Sequence, residues 1–143
     1  MITSRYIEEK DYEMLSDSLL QDEYHQDTGI DFFLEPGTVC SLYCDEAGPI
    51  CFVRGKVLFE FGVAAIQLDI QYLNNLDHRR NMKAMVEGFA VLEKNAKANK
   101  FSGFIFNSNV PLLRKFCVKR LGFEEFDENL LVKVIVDIES KNV

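Results

Sequence analysis

The sequence predicts an α/β or α+β fold, a sheet with helices on both faces. Three stretches carry that expectation. Ile66–Asn99 reads as a strand, a short basic turn and a long helix. Asn107–Gly122 reads as a shorter helix with recognisable start and stop signals. In Leu130–Ile138 the residues Leu130, Val132, Val134, Val136 and Ile138 form one wholly apolar face, and a period of two is the mark of extended chain. At 143 residues one domain covering 1–143 is the expectation.

Taken in order, Ile2–Ile7 is a short first strand. Glu8, Glu9 and Asp11 open a helix with acids where its dipole favours them. Tyr12, Leu15, Leu19 and Leu20 form that helix's apolar face. Asp22–Glu35 is acidic and interrupted by Gly29, with room for a second short helix before Pro36-Gly37 closes the loop. The acidity around His25 suits either a solvated surface or a lip that attracts amines. Thr38–Cys44 and Ile50–Arg54 are strands joined by the turn cluster Asp45–Pro49. Gly55-Lys56 interrupts or bulges the second of them, which resumes as Val57–Phe61 and ends at Gly62.

The central strand follows. Ile66, Leu68, Ile70 and Tyr72 alternate with Gln67, Asp69 and Gln71. After Asp77-His78-Arg79-Arg80, a helix presents Met82, Met85, Val86, Phe89 and Leu92 on one face. Phe101–Phe106 is apolar without clean alternation, as in a strand covered on both faces. Asn107-Ser108-Asn109 offers capping side chains and Pro111 suits a first helical turn. Leu112, Leu113, Phe116 and Cys117 are expected inside, and Arg114, Lys115, Lys119 and Arg120 in water. Gly122 terminates the helix.

Composition bounds the function. The chain is 48% hydrophobic, enough for a sizeable core, and no apolar run is long enough to span a bilayer. The start Met1–Tyr6 lacks a secretory pattern. The expectation is a soluble cytoplasmic protein with no membrane partner. A net charge of −7 argues against nucleic-acid binding and suits a cationic partner or simple solubility. Cys40 and Cys44, four apart in a strand, are separated by roughly 13 Å, too far to share a metal. The four cysteines read as buried thiols, and no spacing with His25 or His78 supports a metal site.

The helix start after Asp77 is the place where chemistry is most legible. First-turn amides lack intrahelical acceptors and sit at the positive end of the dipole, which makes an anion site. Arg79, Arg80 and Lys83 add charge there. A phosphate group is one guest; a basic cluster that only solvates a helix start is the alternative.

The succession of elements resembles the GNAT superfamily of N-acetyltransferases over nearly all of residues 2–138. The frame Arg79-Arg80-Asn81-Met82-Lys83-Ala84 stands where the family has glutamine or arginine, two free positions, glycine, a free position, then glycine or alanine. The strand Phe101–Phe106 ending in Asn107-Ser108-Asn109, and the run Arg114–Glu124 with Leu121-Gly122-Phe123, complete the likeness. The resemblance implies a mixed, mostly antiparallel sheet and an acetyl-CoA site. The pyrophosphate would rest near Arg79, Arg80, Asn81, Met82, Lys83, Ala84 and Met85. The pantetheine arm would run beside Ile70, Tyr72 and Leu73, with Asn109 contacting it. Transfer to an amine, of a small molecule or a protein, cationic in keeping with the acidic chain, would follow. The alternative is a non-catalytic relative that binds CoA or a macromolecule; a third reading is a small α/β protein unrelated to CoA. Met82 departs from the family's glycine, and Val118 from its proton-donating tyrosine; Cys117, Tyr72 or water would have to replace the latter, or the step proceeds without an acid. Asp69 and Glu60 are the candidate bases. A monomer or a homodimer is equally compatible with the sequence.

Overall fold

A computed structural model describes residues 1–60, 63–108 and 110–135, the side chains of Glu60 and Val63 excepted. The elements are β1 Thr3–Tyr6, a 3-10 turn Glu9–Asp11, α1 Tyr12–Gln21, α2 Ile30–Phe33, β2 Thr38–Asp45, β3 Gly48–Glu60, β4 Val63–Tyr72, α3 His78–Ala98, β5 Gly103–Asn107, α4 Pro111–Leu121, β6 Glu124–Glu125 and β7 Leu130–Val134. Seven strands form one sheet in the order β1-β2-β3-β4-β5-β7-β6. The β1–β2, β2–β3, β5–β7 and β6–β7 pairs are antiparallel. The β4–β5 pair is parallel. The expected mixed, mostly antiparallel sheet with helices is therefore present. No helix among the described residues is long and apolar enough to cross a membrane.

The chain divides into two compact units, Met1–Lys56 with Asp69–Gly88, and Val57–Leu68 with Phe89–Val143. In the first, Leu15 and Leu19 of α1 and Phe33 of α2 pack with Cys40 and Leu42 of β2 and Phe52 of β3. Arg5 of β1 grips the buried Asp11 with two hydrogen bonds, 2.7 and 2.8 Å long. Glu8 and Asp11 close a reciprocal capping box at the start of the helical segment. Leu20, expected on the inner face of α1, is exposed. Ser18 takes the inner position and turns its hydroxyl onto Leu15 O at 2.7 Å. β3 is not broken at Gly55-Lys56. It runs without interruption from Gly48 to Glu60, with Gly55 opposite Val39 and Lys56 opposite Thr38. The irregularity lies instead between Tyr43 and Cys44 of β2. The ring of Tyr43 lies over Gly88 of α3, where a Cβ would come within 2.1 Å of it.

In the second unit the aromatic rings of Phe89, Phe104, Phe106 and Phe123 stack in succession, with centroids 4.9 to 6.5 Å apart. The backbone of β5 passes so close to β7 that a Cβ on Gly103 would meet Lys133 O at 2.4 Å. On β7 the inward residue is Leu131, and Val134 is exposed; Val136 and Ile138 lie outside the described residues. On α4 the expectations for Leu112 and Arg114 are reversed: the buried residues are Arg114, Cys117 and Leu121, while Leu112 points to water. Arg114 is stabilised inside because its guanidinium donates to Ser108 O at 2.7 Å and Asp127 O at 2.6 Å. Gly122 ends α4 in the left-handed region, φ 79°, as expected.

Candidate active site

β4 carries Asp69 and Gln71 on one face, two residues apart, and both lie in the first unit. That face is not open water. The segment Ser18–Glu35 covers it. Gln71 is fully buried. Its side-chain nitrogen faces Ser18 O at 3.2 Å, an Asp22 carboxylate oxygen at 3.2 Å and Tyr72 O at 2.9 Å. All three are acceptors, so the amide orientation is fixed and its oxygen turns to His25. Nδ1 of His25 must therefore carry the proton that it donates. Asp22, expected on an acidic surface, is buried and also caps the amide of Tyr24. Glu23, Asp27 and Asp31 are the exposed acids of this segment.

Asp69 faces a buried cation. Arg54 of β3 is only 1% exposed. Its guanidinium donates to Asp69 Oδ2 at 2.9 Å, to Glu35 Oε2 at 2.6 Å and to Phe32 O at 2.8 Å. It also lies over the Phe32 ring, 4.0 Å from the centroid. Lys56 reaches the other oxygen of Glu35 at 3.2 Å. The Asp69 side chain remains 19% exposed. Burial pushes its carboxyl above the usual carboxylate range, against the opposing pull of Arg54 and, more weakly, His25. Among the described residues its Oδ1 has no hydrogen-bond partner. A carboxylate raised in this way, with one oxygen tethered and one free, can accept a proton.

Arg54, Glu35, Lys56, His25 and Gln71 were not among the residues singled out as sites by sequence. The available signal was period two: Arg54 continues the inward line Ile50, Phe52, and all three are buried. A charge on that line needs a partner.

The start of α3 is built differently from the sequence expectation. A turn fixed by Asn74 leads into it: Leu76 N–H donates to Asn74 Oδ1 at 2.9 Å and Asp77 N–H to Asn74 O at 3.2 Å. Asn81 is buried and staples that turn by donating to Asn74 O at 2.9 Å. Asp77 caps the helix, accepting the Arg80 amide at 3.4 Å. The Arg80 guanidinium is engaged by Asp45 through two bonds of 2.9 and 2.7 Å, and by Gly48 O at 3.0 Å. Arg80 thus ties α3 to the β2–β3 hairpin. Arg79 is exposed and, among the described residues, forms no ion pair. Lys83 stands 4.0 Å from Glu87 along the helix. Met82 is 41% exposed and off the buried stripe, which runs through Asn81, Ala84, Met85 and Phe89. Tyr72 donates its hydroxyl to the sulfur of Met85. Ile70 is half-buried, and the Leu73 amide is taken by Ile50 O at 2.9 Å.

The Asp45–Arg80 pair gives a pH-dependent prediction. Hydrogen bonding to Arg80 holds the Asp45 carboxyl down at about 2, below the ordinary value of about 3.9 of an unfolded chain. A depressed folded value adds stability above the unfolded pKa, and that contribution is lost as pH falls through about 2. Asp45→Asn is expected to lower the urea midpoint at pH 7, with the deficit shrinking from pH 4 towards pH 2. A deficit that stays constant across that range would remove the ion pair as its cause.

Asn109 and the side chain of Glu60 lie outside the described residues. Cys117 is buried in the second unit, and burial pushes its thiol up to about 12. Val118 beside it is exposed. The four cysteines are free thiols. Among the described residues no cluster of three or more His, Cys, Asp or Glu side chains is placed to hold a metal ion.

No protein-family model and no curated protein matches the sequence. Solved structures do match the fold. An aminoglycoside 6'-acetyltransferase of type Ii aligns with a TM-score of 0.70 at 15% identity, over 96% of this chain and 98% of that one. The aminoglycoside acetyltransferase AAC(6')-Ib, in complex with coenzyme A and kanamycin, gives 0.69 at 14% identity over 100% of both chains. A probable acetyltransferase from Staphylococcus epidermidis gives 0.68 at 16% identity, over 95% of this chain and all of the other. The chain has the fold of GNAT-type acetyltransferases.

Proposed function

We propose that the protein is an acetyl-CoA-dependent N-acetyltransferase acting on a cationic amine of a small molecule or a protein. One observation carries the reading. A partly buried carboxylate, Asp69, with a raised pKa and a free oxygen, sits on β4 with its other oxygen held by Arg54. The likeness to acetyltransferases, one of them held with coenzyme A and kanamycin, supports it.

The bound thioester would supply an electrophilic carbonyl carbon. Asp69 takes one proton from the acceptor ammonium at Oδ1. The freed nitrogen bonds to the carbonyl carbon as the carbon–sulfur bond breaks. A second N–H proton leaves with the sulfur as thiol, and Asp69 returns its own proton to water. Arg79, the amides of His78 and Arg79, and Lys83 are the groups proposed for the cofactor's phosphates; Ile70, Tyr72, Leu73 and Asn109 are proposed to line its arm. Arg80, Asn81, Ala84 and Met85 shape this helix start from behind.

A thiol-release assay with acetyl-CoA across polyamines, amino sugars and lysine peptides tests the reaction. CoA appearing no faster than by spontaneous hydrolysis would overturn it. Acetyl-CoA is also expected to raise the melting temperature, by mass action on the folded state. At a ligand concentration of about 100 Kd the stabilisation would be ~2.7 kcal/mol. Arg79→Glu should weaken that shift; an unchanged shift would move the phosphate site elsewhere. A CoA-binding protein without catalysis is the second reading, favoured by Val118 at the family's tyrosine position and by the buried thiol of Cys117. A melting shift with no thiol release would select it.

A further inference from the structure

We propose that Arg54 is a positioning residue for acetyl transfer: it clamps Oδ2 of Asp69, leaves Oδ1 as the proton-accepting atom, and is itself counterbalanced by Glu35. The proposal rests on the reading of Asp69 as the base.

The geometry is specific. Three acceptors from two segments, Asp69 of β4, and Phe32 O and Glu35 at the end of the covering segment, surround one guanidinium at 2.6 to 2.9 Å. The Phe32 ring closes its flat side. Nη1 gives Asp69 a single hydrogen bond, and Phe32 O and Glu35, holding Nε and Nη2, fix the direction of that bond in a way that a lysine ammonium cannot. Stability alone is a weak reason for such a cluster, since a buried ion pair is often matched by apolar side chains of similar volume. Placement of the carboxylate is what the fork adds. Charges alternate along the chain of contacts, from Lys56 to Glu35 to Arg54 to Asp69. Glu35 therefore divides the field of Arg54 and leaves Asp69 less stabilised as an anion than an unshared arginine would. The other titratable groups turned to this face are His25 and Asp22; the neighbours of Asp69 on its own strand face, Gln67 and Gln71, are neutral.

The two sides of the clamp should act in opposite directions. In Arg54→Gln, the acid limb of kcat/KM moves up by about one pH unit, because Asp69 loses its cation. In Glu35→Gln it moves down, because Arg54 then serves Asp69 alone. Arg54→Lys restores the limb towards its original place but leaves kcat reduced, since the charge returns without the fork. The carboxyl 13C resonance of Asp69, assigned by its loss in Asp69→Asn, should titrate with the same shifts and separates them from His25. Glu35 is half-exposed, so its variant folds even where Arg54→Gln does not. An Asp69 titration unmoved in Glu35→Gln, or an undiminished kcat in Arg54→Lys, overturns the role of Arg54. Full activity in Asp69→Asn overturns instead the reading of Asp69 on which it rests.

Discussion

Asp69→Asn is expected to lower kcat/KM for acetyl transfer by about 10²–10⁴-fold, the usual span for loss of a positioned base. The side chain keeps its shape and an oxygen for Arg54 Nη1 but no longer takes a proton at neutral pH. The acceptor then reaches the nitrogen lone pair only by giving its proton to water. The residual rate should climb with pH towards the amine's own pKa, with the limb of Asp69 gone. Acetyl-CoA affinity should be unchanged, since its phosphates are proposed to bind at the start of α3. A loss shared equally between acetyl-CoA binding and turnover would argue for general collapse of the face. A rate within twofold of the native protein, with the circular dichroism unaltered, would show that Asp69 only anchors Arg54.

Why the sequence sets Asp69 on the polar face of its strand but gives no sign of Arg54 beside it is a matter of which signals a strand transmits. Alternation along Ile66–Tyr72 marks Asp69 and Gln71 as sharing a face. It does not say that the face is covered. The cover, Ser18–Glu35, is rich in acids and so resembles a solvated surface. Its inward members, Asp22 and His25, are instead tied to Gln71. Burial of Gln71 therefore had no local signature; it is imposed by tertiary contacts.

The same limit explains the reversals. A strand with apolar residues at both parities, such as Leu130–Ile135, does not announce its inner face, and Leu131 won over Val134. On α4, Arg114 lies on the stripe with Cys117 and Leu121 at helical spacing. Charge suggested water, but two carbonyls within reach made the interior acceptable. Signals tied to backbone geometry fared better, as Gly122 and Pro111 bound α4 where expected. At α3 the cluster of cations was visible, but not that Asp45 would claim Arg80, because that contact spans 35 residues.

Phe104→Ala is expected to destabilise the chain by ~3–5 kcal/mol, the usual cost of truncating a buried phenylalanine. Phe104 is fully buried on β5 and its ring meets Phe89 at 4.9 Å. Phe89 in turn meets Phe123 at 5.3 Å. The hole cannot collapse easily. Gly103 already lies against Lys133 O, so β5 has no room to slide towards β7. Lys133 does not swing in, because it is held by Leu121 O at 2.7 Å and Glu93 at 2.9 Å. The loss should appear as a lower denaturant midpoint with the slope unchanged, and as faster amide exchange in β5 and β7 before β1 and β2. Phe126→Ala is the control: that ring is 74% exposed, and a change within about 0.5 kcal/mol is expected. Equal costs for the two would place the stability of this unit outside its aromatic stack.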